Sequence, residues 1–317
     1  MSSDRDAAIP DRLRDWLQDL RAFQRKAREQ GYRLTATTAR EVLDGITRRF
    51  LTQIPPVALV RDDLIPGLDY QVPVRVYHPR PEQALPVALF VHGGGHVSGS
   101  VSLYDPICRK LALASERIIV SIEYRLAPEC PYPAGLKDAM ASVKQVYPLL
   151  ERLALPFTPR VALIGDSGGG ALCATVAHLA QYDAGVDIDR QVLIYPSLDY
   201  TLSQPSVITN GQGYLLERER ILWLFDTYLQ NAENRRAVSP LFMEIGARLP
   251  PTLIIAAEFD PLRDEAIAYA DRLEQHGIEG TRLLVMPGLV HAFLNLEDLV
   301  PDACRQVYAV IGGFLQE

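Results

Sequence analysis

One five-residue stretch limits what this chain can fold into more than any other. Gly165-Asp166-Ser167-Gly168-Gly169 follows the apolar run Val161-Ala162-Leu163-Ile164 and precedes a run rich in small residues, Ala171 to Ala180. It fits G-x-S-x-G, in which a strand turns abruptly into a helix and holds a serine hydroxyl out at the turn. The flanking glycines are needed because the serine backbone is strained there and bulky neighbours would collide with strand or helix. A second stretch, His92-Gly93-Gly94-Gly95, also follows an apolar run and fits a loop that offers backbone N–H groups to a developing oxyanion. In this order, the two predict acyl transfer through Ser167.

The surrounding sequence predicts an α/β architecture. Residues 11–30 read as an amphipathic helix with Leu13, Trp16, Leu17, Leu20 and Phe23 on one stripe, ended by Gly31. A second helix is expected from Thr38, paired with Glu41 in a capping box, with Val42, Leu43, Ile46 and Phe50 as its apolar face. Two helices ahead of any strand predict an appendage, an N-terminal helical cap over residues 1–54. Pro55-Pro56 then opens a catalytic domain over 55–317.

Strands are expected at 57–62, 72–77, 86–91, 117–122, 160–164, 191–195, 252–257 and 282–286. The first two alternate and lie close together, which predicts an antiparallel pair. The later ones are continuous apolar runs separated by helix-length segments. That pattern predicts a mostly parallel eight-stranded sheet with helices on both faces. The interval 198–249 is too long for a crossover. It holds Gly211-Gln212-Gly213 and an apolar helix around 216–229, and reads as a cap insertion meeting the N-terminal helices above the carboxyl ends of the strands.

Bulk properties exclude several functions. The chain has 317 residues and a formal charge of −7, with no Lys/Arg stripe beyond its mildly basic start, so no nucleic-acid partner is expected. No leader and no apolar run long enough to span a bilayer is visible. Cys108, Cys130, Cys173 and Cys304 lack metal or disulfide spacing. A cytoplasmic protein is the resulting expectation. Cys173 reads as a small buried apolar residue rather than a nucleophile.

A serine hydroxyl needs a base within hydrogen-bond reach, and the base needs an orienting acid, in the chain order Ser, Asp/Glu, His. His178, His276 and His291 follow Ser167. His178 falls within the helix after the turn and His276 at a helix end, whereas His291 lies just after the last strand, in Pro287-Gly288-Leu289-Val290-His291. His291 is therefore assigned as base. Near the end of the penultimate strand stand Glu258, Asp260, Asp264 and Glu265. Asp260, fixed by Pro261, is the preferred acid, with Glu258 and Asp264 as alternatives.

These residues carry a resemblance. His92-Gly93-Gly94-Gly95, Glu123-Tyr124-Arg125-Leu126-Ala127-Pro128-Glu129, Tyr132-Pro133-Ala134, the Ser167 pentapeptide, Glu258-Phe259-Asp260-Pro261-Leu262 and His291-Ala292-Phe293 are spread over residues 60–317. Together they resemble the hormone-sensitive-lipase-like branch of the α/β-hydrolases, particularly its bacterial acetyl-ester hydrolases. The resemblance implies the α/β-hydrolase fold, a Ser167–Asp260–His291 triad, and an oxyanion hole of Gly94, Gly95 and Gly168. It further implies no cofactor or metal, small-molecule ester substrates with acetyl to about hexanoyl groups, and a monomer or homodimer. His92 is expected to anchor its loop.

Two positions depart from the family pattern. His96 stands where an aromatic residue is common, and Gly168 where alanine is. His96 reads either as a polar, titrating group in the pocket or as a partly exposed loop histidine. Candidate pocket residues are His96, Tyr195, Leu216, Leu222 and Phe225. Glu123, Arg125 and Glu129 are expected to form an internal ion-pair network, and Asp166 to be a charge favoured at a helix start. An amidase or arylformamidase on the same fold is the alternative activity. A non-catalytic small-molecule receptor is the alternative of another class.

Overall fold

The computed structural model describes residues 7–31 and 33–317. Eight strands form one sheet: β1 (Leu59–Pro66), β2 (Gln71–His78), β3 (Leu85–Val91), β4 (Ile118–Ile122), β5 (Phe157–Asp166), β6 (Arg190–Ile194), β7 (Thr252–Phe259) and β8 (Arg282–Val290). Their order is β1-β2-β4-β3-β5-β6-β7-β8. β2 runs antiparallel to both β1 and β4, and every other pairing is parallel. The expected α/β class, strand count and first antiparallel pair are all present.

Alternation along the strands splits the core in two. Leu85, Val87, Leu89 and Val91 of β3 pack on one face with Leu136, Ala139 and Val143 of α4 (Ala134–Arg152) and Leu172 of α5 (Gly168–Ala180). Ala88 and Phe90 point the other way, joining Ile107 and Leu111 of α3 (Asp105–Ser115) and Val307 and Ile311 of α10 (Pro301–Gln316). A third apolar cluster gathers Val97, Tyr200, Ile221, Leu224, Phe225 and Tyr228 around α7 (Arg218–Tyr228), within the long interval before β7. The buried residues of this helix, Ile221, Leu224, Phe225 and Tyr228, fall at i, i+3, i+4 and i+7 and so form a single stripe.

The N-terminal helices are α1 (Asp11–Glu29) and α2 (Ala36–Phe50). They are more deeply embedded than an appendage would be. Ile9, Leu13, Leu17, Phe50 and Leu51 belong to the same core as Phe90, Met286 and Phe314. Phe23 leaves the expected stripe and is 69% exposed. α2 also starts earlier than predicted: the cap is Thr35, whose hydroxyl accepts from Thr38 N (3.1 Å), while Thr38 Oγ1 accepts from Thr35 N (2.9 Å). The Thr38–Glu41 box does not form, because Thr35 is the residue with extended backbone.

β8 runs further than its sequence suggests. Pro287-Gly288 reads as a loop, yet the strand continues to Val290, which pairs with Phe259 across a register shift. Gly288, at φ +70°, donates its N–H to Glu258 Oε2 (2.8 Å), so an irregularity rather than a turn absorbs the proline. Among the described residues, no helix is long and apolar enough to cross a membrane.

The two readings of the α2 cap separate experimentally. Thr35→Ala should lower stability by about 1 kcal/mol, whereas Glu41→Ala, at an exposed site, should leave it unchanged. Urea denaturation measures both, and equal losses would overturn the assignment.

Candidate active site

Ser167 sits between β5 and α5 with φ +51° and ψ −119°, left-handed backbone that an L-residue adopts at a cost of about 1–3 kcal/mol. Neighbouring backbone holds it there. Its N–H donates to Ile194 O (2.9 Å), and its carbonyl accepts from Ala171 N and Ser197 N, both at 3.1 Å. Gly169 has to be glycine, since a Cβ would strike the carbonyl oxygen of Val91 at the end of β3. The strand-turn-helix expected of the pentapeptide is therefore built by close packing of α5 on the sheet.

The chain ends of β7 and β8 bring two more side chains to this turn. His291 Nε2 lies 2.9 Å from Ser167 Oγ, and His291 Nδ1 lies 2.7 Å from Asp260 Oδ2. An ionised carboxylate only accepts, so Nδ1 carries the proton and Nε2 turns its lone pair to the serine hydroxyl. Asp260 Oδ1 accepts from Leu262 N (2.8 Å), and Asn210 Nδ2 donates to the backbone carbonyls of Glu258 and Asp260 (3.1 Å each). Asp260 and His291 are buried, and the Tyr195 ring packs edge-on against the imidazole at 5.0 Å.

The other sequence candidates for acid and base are engaged elsewhere. Glu258 takes Gly288 N, and Asp264 pairs with Arg263 (2.8 Å). Glu265 is fully buried and accepts from Leu198 N (2.6 Å), its carboxyl pushed well up by desolvation. His178 is buried between Glu244 O (2.8 Å) and Tyr269 OH (3.0 Å), while exposed His276 bonds Arg272 O (2.8 Å). Cys173 is buried, and desolvation pushes its thiol up.

The glycine loop faces the same turn. A Cβ added to Gly168 would lie 3.3 Å from Gly95 N, so the two glycine-rich stretches are in contact. Gly94 (φ +114°) and Gly95 (φ +62°) line a cavity of about 90 Å³ together with Ser167 and His291. Beneath the loop, His92 Nδ1 donates to Gly93 O (2.8 Å), and burial pushes its imidazole down to about 4.

Most of the cavity wall is apolar. Leu216 and Phe225 line it, as proposed from sequence. His96, Tyr195 and Leu222 do not: Tyr195 lies behind His291, and Leu222, though on α7, does not reach the cavity. His96 is neither a pocket group nor an exposed one. It is buried, its Nε2 sharing a hydrogen bond with Tyr200 OH (3.0 Å) and its ring stacked on Tyr228 (3.8 Å), and burial pushes it down to about 3. Sequence reasoning missed Val42, Leu43 and Ile46 of α2, which reach the cavity, and Ser98, Tyr104 and Asn295 on its polar side.

Two charge assignments are also corrected. Glu123, Arg125 and Glu129 do not pair with one another: Arg125 pairs with buried Asp138 (2.7 Å) and with Asp69 (3.0 Å), and Glu129 with Arg40 (2.6 Å). Glu123 accepts from Val101 N (2.7 Å). Asp166 ends β5 rather than starting a helix. It accepts from Gly93 N (2.6 Å) and Tyr104 OH (3.2 Å), tying the glycine loop to the serine turn.

Desolvation pushes the Asp166 carboxyl up to about 7, against roughly 3.9 in an unfolded chain. The folded state therefore binds this proton more tightly. The stability it contributes is complete below the unfolded value and is lost as pH rises through about 7. Asp166→Asn should remove that dependence, so the melting temperature of the variant should gain on wild type between pH 5 and 8. Parallel curves across that range would overturn the assignment.

With this geometry in view, four similarities place the chain. Residues 88–295 match a family model described as the alpha/beta hydrolase fold. Ethyl acetate hydrolase of Pseudomonas putida is 33% identical over 253 residues, covering 78% of this chain and 79% of that protein. Carboxylesterase NlhH of Mycobacterium tuberculosis is 36% identical over 240 residues, covering 74% and 75%. A solved structure of a hyperthermophilic esterase from the archaeon Pyrobaculum calidifontis superposes with a TM-score of 0.87 at 32% identity, covering 97% of this chain and 98% of that one. The chain thus belongs to the α/β-hydrolase family, in its hormone-sensitive-lipase-like branch.

Proposed function

We propose that this carboxylic ester hydrolase cleaves short-chain acyl esters through Ser167, His291 and Asp260, by way of an acyl-enzyme. The observation that carries the reading is the unbroken bonding line Ser167 Oγ–His291 Nε2 and Nδ1–Asp260 Oδ2, ending at a cavity lined by Gly94 and Gly95. Ser167 Oγ attacks the ester carbonyl carbon and its proton passes to His291 Nε2. Asp260 stabilises the imidazolium. The carbonyl oxygen, now an oxyanion, takes hydrogen bonds from the N–H groups of Gly94, Gly95 and Gly168, each of which contributes about 2.7–4 kcal/mol.

The intermediate collapses, the C–O bond to the alcohol breaks, and the alcohol leaves with the proton held by His291. Water then attacks the acyl-enzyme, giving its proton to His291. Collapse of the second intermediate releases the acid and returns a proton to Ser167 Oγ. Every proton in the cycle has a carrier among these residues. On this reading, residues 1–54 and 198–249 act as two parts of a cap, because α2 and α7 both line the cavity. A volume of about 90 Å³ with leucine, isoleucine and phenylalanine walls favours small acyl groups over long ones.

Ser167→Ala should cut hydrolysis of p-nitrophenyl butyrate on the order of 10⁶-fold with an unchanged circular dichroism spectrum. A serine-directed phosphonate should add once, at Ser167, by mass spectrometry. Turnover close to wild type, or a label elsewhere, would refute the mechanism. Across p-nitrophenyl esters from acetate to decanoate, kcat/KM should peak by hexanoate and fall about tenfold or more by decanoate. An undiminished rate on decanoate would refute the small acyl site.

A further inference from the structure

His96 is the residue that follows the two cavity-lining glycines, and it is not a glycine. Yet its backbone is left-handed, at φ +63°, directly after Gly95 at φ +62°. A side chain in that region costs energy, and it persists only where the surroundings over-determine it. Here three contacts do so. The His96 carbonyl accepts from Ala127 N (2.9 Å), its Nε2 shares a hydrogen bond with Tyr200 OH (3.0 Å), and its ring lies on Tyr228 at 3.8 Å and 15°.

Tyr200 and Tyr228 both come from the stretch between β6 and β7, whereas His96 belongs to the loop after β3. All three rings are buried. A hydrogen bond excluded from water is geometrically demanding, because either partner left alone is a buried unpaired group. The same stretch also presses on the loop directly: a Cβ on Gly95 would come within 2.6 Å of Leu224 Cδ1. The loop's own bonds, Ser98 N and Val97 N to Gly94 O (3.0 and 3.2 Å), close a turn but leave its tilt toward Ser167 to outside contacts.

We propose that His96 is a positioning residue: through its bond to Tyr200 and its stack on Tyr228, it aims the Gly94 and Gly95 N–H groups at the reacting carbonyl. This rests on reading those glycines as the oxyanion hole. It gives the aromatic position of the loop a polar edge, and so makes donor alignment depend on one hydroxyl far along the chain.

The test compares wild type with Tyr200→Phe, His96→Phe and the double variant. The readouts are kcat and KM on p-nitrophenyl butyrate, the rate of phosphonate inactivation at Ser167, and melting temperature. His96→Phe keeps a ring to stack on Tyr228 and loses only the bond. Tyr200→Phe removes the same bond from outside the loop, so one variant remains informative if the other folds poorly. Each single variant should lower kcat by about tenfold to a hundredfold, with KM within about twofold of wild type and inactivation slowed in parallel. The double variant should be no worse than the poorer single, since one bond is lost in all three. Wild-type kcat in Tyr200→Phe, losses that multiply in the double variant, or a lower melting temperature with unchanged kcat would each overturn the proposal. If those results come with a single label at Ser167 and an inactive Ser167→Ala, only the role of His96 falls. A label elsewhere would remove the oxyanion reading and this proposal together.

Discussion

The Ser167 backbone is held where an L-residue would not settle by itself. Relaxation of that turn would carry the hydroxyl away from His291 Nε2 and Gly168 away from the glycine loop, so the contacts around it set the whole site. They are unusually direct. Gly169 lets α5 lie against the end of β3, and the carbonyl of Ser167 bonds to Ser197 N just beyond β6. The strain is thus spread over three adjacent parallel strands, whose core on both faces is close-packed apolar side chains.

Polar contacts extend this rigidity outward from the serine. Asp166 joins the serine turn to Gly93 and Tyr104. Asn295, four residues past His291, donates to Thr47 of α2 (3.1 Å), and Thr52 bonds Asp298 (2.7 Å). Arg40 of the same helix donates to Val97 O (2.8 Å) and Ala127 O (3.1 Å). The histidine segment, the glycine loop and the N-terminal helix are therefore one connected body, joined by directional bonds as well as by apolar packing.

Much of this was legible because strong local patterns carry it. Continuous apolar runs marked the parallel strands, and the glycine stretches and the order of polar residues at strand ends singled out Ser167, Asp260 and His291, whose side chains meet in the structure. What escaped the sequence depends on long-range partners. Periodicity marks Val42, Leu43 and Ile46 as an apolar face but does not say that a cavity lies beneath it. Tyr104, Asn210 and Asn295 are single polar residues with no local signature, and their partners lie tens to hundreds of positions away. Pro287-Gly288 has the composition of a turn, and only the shifted pairing with β7 shows that the strand passes through it. His96 was misread because its burial comes from Tyr200 and Tyr228, which no pattern around it announces.

The embedding of the first helices has a consequence for traffic through the cavity. Ile9, Leu13, Leu17, Phe50 and Leu51 sit in the same core that covers one face of the sheet. Baring them to water would cost on the order of 10 kcal/mol, which is comparable with the net stability of a typical domain. A wall rooted that deeply cannot swing aside without melting the molecule. On that side the wall is a doorpost and not a door.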